Sequence, residues 1–572
     1  MARQRRRPPD GESPTGVSYP PGERELIVVA EQDVRLRATP DGLASAADAD
    51  VGSLAALLAG EGLTLEPLFG VSEDRLERLT ASVSERSEQA VPELSPYYRV
   101  RAEDHRLDDL APQLAELPIV SAAYIKPAPE PAAVLQADTD LVPPATADFS
   151  ARQGYLRAAP EGVDADWAQT QAGGTGASVQ IIDIEGAWQL AHEDLLQNMS
   201  GVVTGTPTTD LSWRNHGTAV FGEFGGDVNG VGVVGIAPAA SVRGASIFPS
   251  VGSAAAIRAA ADHLNAGDII LIELHRPGPR HQFAQRLDQL GYIAIEWWPD
   301  DYAAIRYAVA RGVIVVEAAG NGAENLSDAL YDQPAAGFPA SWRNPFSPAN
   351  PSSGAVLVGA GAPPPGTHGR DHGPDRSRLP FSNHGARLDA QGWGREVTTT
   401  GGRGGNPGDL QGGTDETLWY TDTFSGTSSA SPIVVGALAA IQGILGTRGL
   451  PRLTPQTAID VLRTTGSPQT DGPGMPATQR IGNRPDIRAA IAALVPVVIS
   501  SGIATQYWHE CLAYPPGDTA SLWLFVDNAW RHLDNPDPSA LDMVQRAFLG
   551  ADSRVRVWYA GDVVAGLVVE GS

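Results

Sequence analysis

Short apolar runs, each closed by a polar or glycine residue, punctuate the middle of this chain and read as buried strands. Gln180-Ile181-Ile182-Asp183 ends in a carboxylate, with Gly186 just beyond it. Val313 to Ala319 leads into Gly320-Asn321-Gly322, and Gly267 to Gly278 carries the apolar core Ile269–Ile272. Two small-residue helices are predicted beside them. One begins around Asn215-His216-Gly217-Thr218-Ala219-Val220. The other runs from Ile433 to Leu445 and is apolar all round, which predicts burial.

The flanks are patterned differently. Glu25–Ala30, Leu63–Phe69, Tyr97–Ala102 and Ile119–Ile125 read as strands. Gly52–Gly62 and Leu107–Leu117 read as helices, the second interrupted by Pro112 and stopped by Pro118. This β-α-β-β-α-β order predicts a small sheet with two helices on one face. At the other end, Leu522–Val526, Arg554–Tyr559 and Val563–Val569 alternate as strands, the last two pairing across Ala560-Gly561-Asp562. Pro538–Leu549 reads as a helix. Trp508, Trp523, Trp530 and Trp558 are expected to form a mini-core there, or else a partner-binding face.

The chemistry concentrates in Phe424-Ser425-Gly426-Thr427-Ser428-Ser429-Ala430-Ser431-Pro432. Gly426 permits a sharp turn, and Pro432 suits the first turn of a helix, which puts Ser428 at that helix's N-terminus. A serine hydroxyl needs a base, and the base needs a carboxylate to fix its tautomer. The assigned roles are Ser428 as nucleophile, His216 as proton shuttle and Asp183 as its orienting acid. The Asn321 side chain and the Ser428 N–H are assigned to the oxyanion.

In their order along the chain, Asp183, His216-Gly217-Thr218, Ala318-Ala319-Gly320-Asn321 and Gly426-Thr427-Ser428-Ser429-Ala430-Ser431-Pro432 resemble the subtilisin-like serine peptidases, or subtilases. Gly235-Ile236-Ala237-Pro238 and Phe381-Ser382-Asn383-His384-Gly385 add to the resemblance, which covers residues 151–495. It implies a three-layer α/β domain with a mainly parallel sheet, here flanked by a small α+β domain at each end. It also implies peptide-bond hydrolysis through an acyl-enzyme. Substrate contacts are implied at Glu273, Leu274 and His275 and at Ala318, Ala319 and Gly320. Residues 23–128 resemble a subtilase propeptide, which assists folding and plugs the cleft until cut away. The competing expectation is a permanent regulatory domain.

The chain departs from the family pattern after the aspartate, with Ile184-Glu185-Gly186, and in the cleft strand, where Glu273, His275 and Arg276 replace a serine and two glycines. Glu185, Glu273 and Glu317 are read as structural, held by arginines or backbone N–H groups. Two sharper readings are a pocket selecting basic residues and mutually raised pKa values. Gly361–Arg376 and Thr400–Thr417 are read as loops framing the cleft. Other classes for the same residues are an idle scaffold that binds peptides, and an esterase or peptide ligase on the same triad.

Composition narrows the partners. With 572 residues, more than one domain is expected, and a net charge of −26 argues against nucleic acid or an anionic membrane surface. Protein or peptide is the expected substrate, and partner binding by the C-terminal domain is a further option. The single Cys511 excludes a disulfide framework and a cysteine-rich zinc site. No cofactor is required for the chemistry; structural calcium is possible in such folds, but no acidic loop has convincing ligand spacing. Residues 1–22 read as a disordered basic tail with no apolar core for an export signal, so a cytoplasmic location is expected, with export by an unconventional route as the alternative. Residues 129–150 read as a linker suited to a processing cut, and 496–572 as the separate C-terminal domain.

Overall fold

The computed structural model describes residues 23–39, 42–87, 90–132, 146–495, 500–514, 517–550, 553–560 and 562–571. The basic tail and most of the expected linker lie outside the described residues. Two compact units divide the chain, residues 1–493 and 494–572.

The first unit is built on a seven-stranded sheet. Its order is Ala390–Trp393, Val356–Gly361, Ile314–Ala318, Ile269–Ile272, Gln180–Glu185, Ser241–Ser246 and Met199–Val202. Every pairing in it is parallel, as buried Ile/Val/Leu-rich strands favour when helices cover both faces. Ile182, Ile184, Ile270, Ile272 and Val315 pack on one face against helices Ser253–His263 and Pro299–Ala310. Helix Ser431–Thr447 covers the other face, with helix Leu211–Gly225 beside it. The three-layer architecture with a parallel sheet is therefore the one expected. Helix Ser431–Thr447 is buried from Ser431 through Leu445, matching its all-apolar sequence.

Against this body lies a four-stranded antiparallel sheet in the order Thr64–Pro67, Tyr97–Arg101, Glu25–Ala30 and Val120–Lys126. Leu26, Val28, Tyr98 and Val100 face helices Gly52–Glu61 and Leu107–Ala115. Ile27, Val29, Ala122 and Tyr124 face the two helices of the large sheet. Strand Glu25–Ala30 is buried at every position because both faces are covered. A third helix, Glu73–Ser84, was not predicted. Its charged first turn masks an apolar stripe whose Leu76 and Val83 join the same cluster as the body helices. That stripe joins Ile27, Val29 and Tyr124 of the small sheet and the body helices in one cluster, on the face opposite the two predicted helices, so a two-helix count misses it.

The second unit has a six-stranded sheet carrying helix Pro538–Leu549, as predicted, and adds strands Ser500–Ile503, Gln506–Tyr514 and Ala529–Asp534. Ser553–Ala560 and Val563–Gly571 form the expected antiparallel pair. The tryptophan mini-core is corrected. The core is aliphatic, with Leu522, Leu524, Val526, Val544, Val555 and Val557. Alternation places Trp523 on the opposite face, in a cross-strand row with Trp508 and His532, and Trp508 is 62% exposed. Among the described residues, no helix is long and apolar enough to cross a membrane.

Candidate active site

Strand Gln180–Glu185 presents Ile181, Asp183 and Glu185 to one face, because side chains alternate along a strand. Glu185 is its last residue and stands at the carboxyl edge of the sheet, where sites in parallel α/β folds assemble. Asp183 lies one pair deeper. Helix Leu211–Gly225 starts at Asp210, whose side chain accepts the Trp213 N–H, and carries His216 toward that edge. Gly217 makes the approach possible, since a Cβ there would sit 2.3 Å from the Ala187 carbonyl oxygen.

The partner of His216 is Glu185. The Nδ1–Oε2 separation is 2.5 Å, and the Gly186 N–H holds the other Glu185 oxygen at 2.9 Å. The expected Asp183–His216 contact is replaced by one from the Trp188 indole N–H to Asp183 Oδ2 at 2.8 Å, and Asp183 Oδ1 is buried with no hydrogen-bond partner among the described residues. The two carboxylates share a face, and depth separates them. That signal was available in the sequence, because period two aligns them and the edge position favours the later one.

Ser428 follows strand Tyr420–Phe424 through a turn at Gly426 (φ 121°) and precedes helix Ser431–Thr447. Thr427 ties this turn to the asparagine: its N–H and hydroxyl reach Asn321 Oδ1 at 2.9 and 3.1 Å. Gly320, at φ 94°, donates its N–H to the Thr427 hydroxyl at 3.2 Å. The Asn321 side-chain N–H donates to Gln289 Oε1 at 3.1 Å. Asn321 thus sits beside the turn that carries Ser428, with its amide linked to Gln289, a residue in an irregular segment that no pattern singled out.

No hydrogen bond joins His216 Nε2 to Ser428 Oγ. Both atoms are buried, and among the described residues neither has a hydrogen-bond partner. The His216 ring packs edge-on against Phe424, four residues before the serine, at 5.5 Å. Catalytic hydrogen bonds are often long before the reacting complex tightens them.

The cleft strand Leu274–Pro277 is the third wall, and it is occupied. Leu274 pairs with Pro131 and His275 with Glu130, antiparallel. Gln289 Nε2 donates to the Pro131 carbonyl at 3.3 Å, and the Ser428 N–H donates to the Ala132 carbonyl, also at 3.3 Å. Residues 130–132 therefore lie in the cleft as an added strand, with a peptide carbonyl at the Ser428 N–H. Of the residues expected to contact substrate, Leu274 and His275 pair here with the chain's own Pro131 and Glu130. Ala318 and Ala319 continue the central strand, and Ala319 and Gly320 hold the asparagine turn through Asn383 and Thr427.

Glu273 does not open onto the pocket. It is fully buried, with Oε1 2.5 Å from the Ser431 hydroxyl and Oε2 without a hydrogen-bond partner among the described residues. Burial, and then the nearby Asp183, push its carboxyl well above the ordinary range, while the Ser431 hydroxyl pulls the other way. Burial also raises Asp183, Glu185 and Glu223, with Glu185 adding to the rise at Asp183 and Glu273 to that at Glu223. Glu317 belongs elsewhere: it faces the opposite side of the sheet and accepts the Glu296 N–H at 3.1 Å. Backbone and hydroxyl groups, with the His216 imidazole, hold Glu185, Glu273 and Glu317; no arginine pairs with these three among the described residues. Burial drives His216 and His275 down to about 3, so both are neutral imidazoles at neutral pH.

Of the two long loops, the second reaches the site's edge. Asn215, next to His216, donates its side-chain N–H to the carbonyls of Gly404 and Asn406 at 2.6 and 3.0 Å. The first is tied by His372 and Arg370 to Glu396. Among the described residues, no group of three His, Cys, Asp or Glu side chains could hold a metal ion.

Residues 174–482, more than half of the chain, match the Subtilase family. Subtilisin E of Bacillus subtilis is 26% identical over 294 residues, which is 50% of this chain and 62% of that relative. The chain thus spans less than two thirds of that relative's length. Subtilisin BL of Lederbergia lenta is 28% identical over 276 residues, 47% of this chain and 77% of the relative. Among solved structures, the epidermin leader peptide processing serine protease of Staphylococcus aureus aligns over 83% of this chain and all of its own, at 17% identity and a TM-score of 0.48. A protease of Pseudoalteromonas arctica aligns over 61% of this chain and 99% of its own, at 20% identity and a TM-score of 0.42. With the match spanning both Glu185 and Ser428, the chain belongs to the subtilase family.

Proposed function

We propose that this protein is a serine endopeptidase that cuts peptide bonds through an acyl-enzyme and first processes its own N-terminal domain. The observation that carries the reading is the Ala132 carbonyl held by the Ser428 N–H inside a cleft walled by a paired strand. Ser428 Oγ attacks such a carbonyl and His216 Nε2 takes its proton. Glu185 holds Nδ1 and stabilises the imidazolium that forms, the role assigned to Asp183 from sequence. The Ser428 N–H and the remaining Asn321 amide hydrogen receive the developing oxyanion. The neutral imidazole is the form a base requires. The N-terminal sheet, docked over the body helices, delivers residues 130–132 to the cleft and blocks other substrates until it is cut. Protein or peptide is the substrate class.

A fluorophosphonate probe tests the reading, because it reacts quickly only with an activated serine. Labelling of the processed wild type, absent from Ser428→Ala and strongly reduced in Glu185→Gln, is the expected result. Equal labelling of wild type and Ser428→Ala refutes it.

A further inference from the structure

Three consecutive residues of the chain sit in the cleft, and only one of their carbonyls faces the nucleophile. The Pro131 carbonyl is taken by Gln289, and upstream the Pro127 carbonyl is taken by Arg276. The Ala132 carbonyl alone is held by the Ser428 N–H. The pairing of Leu274 with Pro131 and His275 with Glu130, continued by one step, sets Ala132 opposite Glu273. Proline donates no ladder bond, so its place beside Leu274 costs the strand pair nothing at a position bound through its carbonyl. Ala132 is wholly buried.

The space around that position is already filled. His275 is fully buried, its ring against Tyr292 at 4.8 Å and its Nδ1 accepting the Asn321 N–H at 3.3 Å. The His275 Cβ would be 3.4 Å from a Cβ built on Gly320, where the Asn383 amide nitrogen would also be only 2.9 Å away. The wall from Gly320 and the wall from His275 are therefore in contact. Glu273 is fully buried with its Oε1 committed to the Ser431 hydroxyl, and burial pushes its carboxyl well above the ordinary range, so it is a poor seat for an arginine.

We propose that the Ala132–Ala133 bond is this protein's own processing bond, and that His275 limits the residue before the scissile bond to about the size of alanine. This rests on the endopeptidase reading above. Ser428 Oγ adds to the Ala132 carbonyl carbon as its proton passes to His216. The C–N bond to Ala133 breaks, and that proton leaves on the Ala133 nitrogen. Water then cleaves the Ala132 ester, giving a carboxylate and restoring the hydroxyl.

Intact mass and N-terminal sequencing of the full chain over time test this. The wild type should yield a fragment beginning at Ala133, while Ser428→Ala stays whole. Ala132→Ser should be cut at close to the wild-type rate, and Ala132→Phe and Ala132→Arg at least about tenfold more slowly, the scale on which a filled pocket rejects extra bulk. Adding His275→Gly should restore cutting of Ala132→Phe. If that double variant does not fold, the Ser-against-Phe contrast at residue 132 decides alone. Cleavage elsewhere with this bond left intact overturns the proposal, as does cutting of Ala132→Phe at the wild-type rate. A chain that digests casein but leaves residues 132 and 133 joined also overturns it while the endopeptidase reading stands. A chain that does neither sinks both.

Discussion

The N-terminal domain is held at two places, and the two are built from opposite physics. At the cleft, residues 130–132 are bound mainly through backbone groups, beside a neutral imidazole and carboxyls pushed up by burial. At the docking face, formal charges crowd together. Lys126 is fully buried against Asp300 and Asp301, with Glu25 at 3.3 Å. Tyr124 donates its hydroxyl to Asp300 at 3.0 Å, and Arg276 lies 3.6 Å from Asp301. Both aspartates sit in the first turn of helix Pro299–Ala310, where the helix dipole favours negative charge. Glu25, flanked by Lys126 and Arg99, is held down at about 2 despite its burial. The cleft leaves polar atoms unclaimed for chemistry, whereas the docking face pairs its charges for affinity.

If that division is right, variants should separate reaction from attachment. The largest effect is expected at the cleft. Glu185→Gln should slow self-cleavage by about 10³–10⁴-fold, the scale seen when a triad acid is neutralised, with no loss of docking. Asp183→Asn, which keeps an acceptor for Trp188, should cost far less; a rate assay on both variants decides.

Lys126→Met is the converse. It strands two buried aspartates, and breaking a buried pair costs about 3–5 kcal/mol. Thermal melting of the Ser428→Ala chain, with and without this substitution, should show that loss, and unchanged melting would contradict the charge-pairing account. Leu76→Ala should follow at about 2–4 kcal/mol in the same assay, since Leu76 is fully buried among the body helices.

A last expected effect is a slope with pH. His216 and His275 ordinarily titrate near 6.5 and are held down at about 3 in the folded chain. The unfolded chain therefore binds more protons between those values. The stability these residues contribute is present above 6.5 and is lost as pH falls toward 3. The raised carboxyls act with the opposite sign, so the test is a difference: the gap in melting temperature between the wild type and His275→Gln should shift in the variant's favour as pH falls through that window.

Much of this was legible in the sequence. The apolar strands, the all-apolar helix after Pro432 and the glycine turn before Ser428 are local patterns, and they fold as local patterns dictate. The geometry pairs His216 with Glu185 rather than Asp183; alternation puts both carboxylates on one face, and the later one stands nearer the edge. Gln289 was invisible for another reason: it is an ordinary polar residue in an irregular segment, and only the fold brings it to Asn321. Helix Glu73–Ser84 was missed because its apolar stripe makes sense only against helices distant in sequence. Four tryptophans suggested a core by composition, yet alternation along their strands turns Trp508 and Trp523 away from the aliphatic one.

The link from Glu185 to the His216 Nδ1–H carries the account, and a low-field proton spectrum of the intact Ser428→Ala chain probes it directly. A short hydrogen bond there should give one resonance well downfield of the amides, kept in Asp183→Asn and lost in Glu185→Gln. Loss in Asp183→Asn with retention in Glu185→Gln would contradict it.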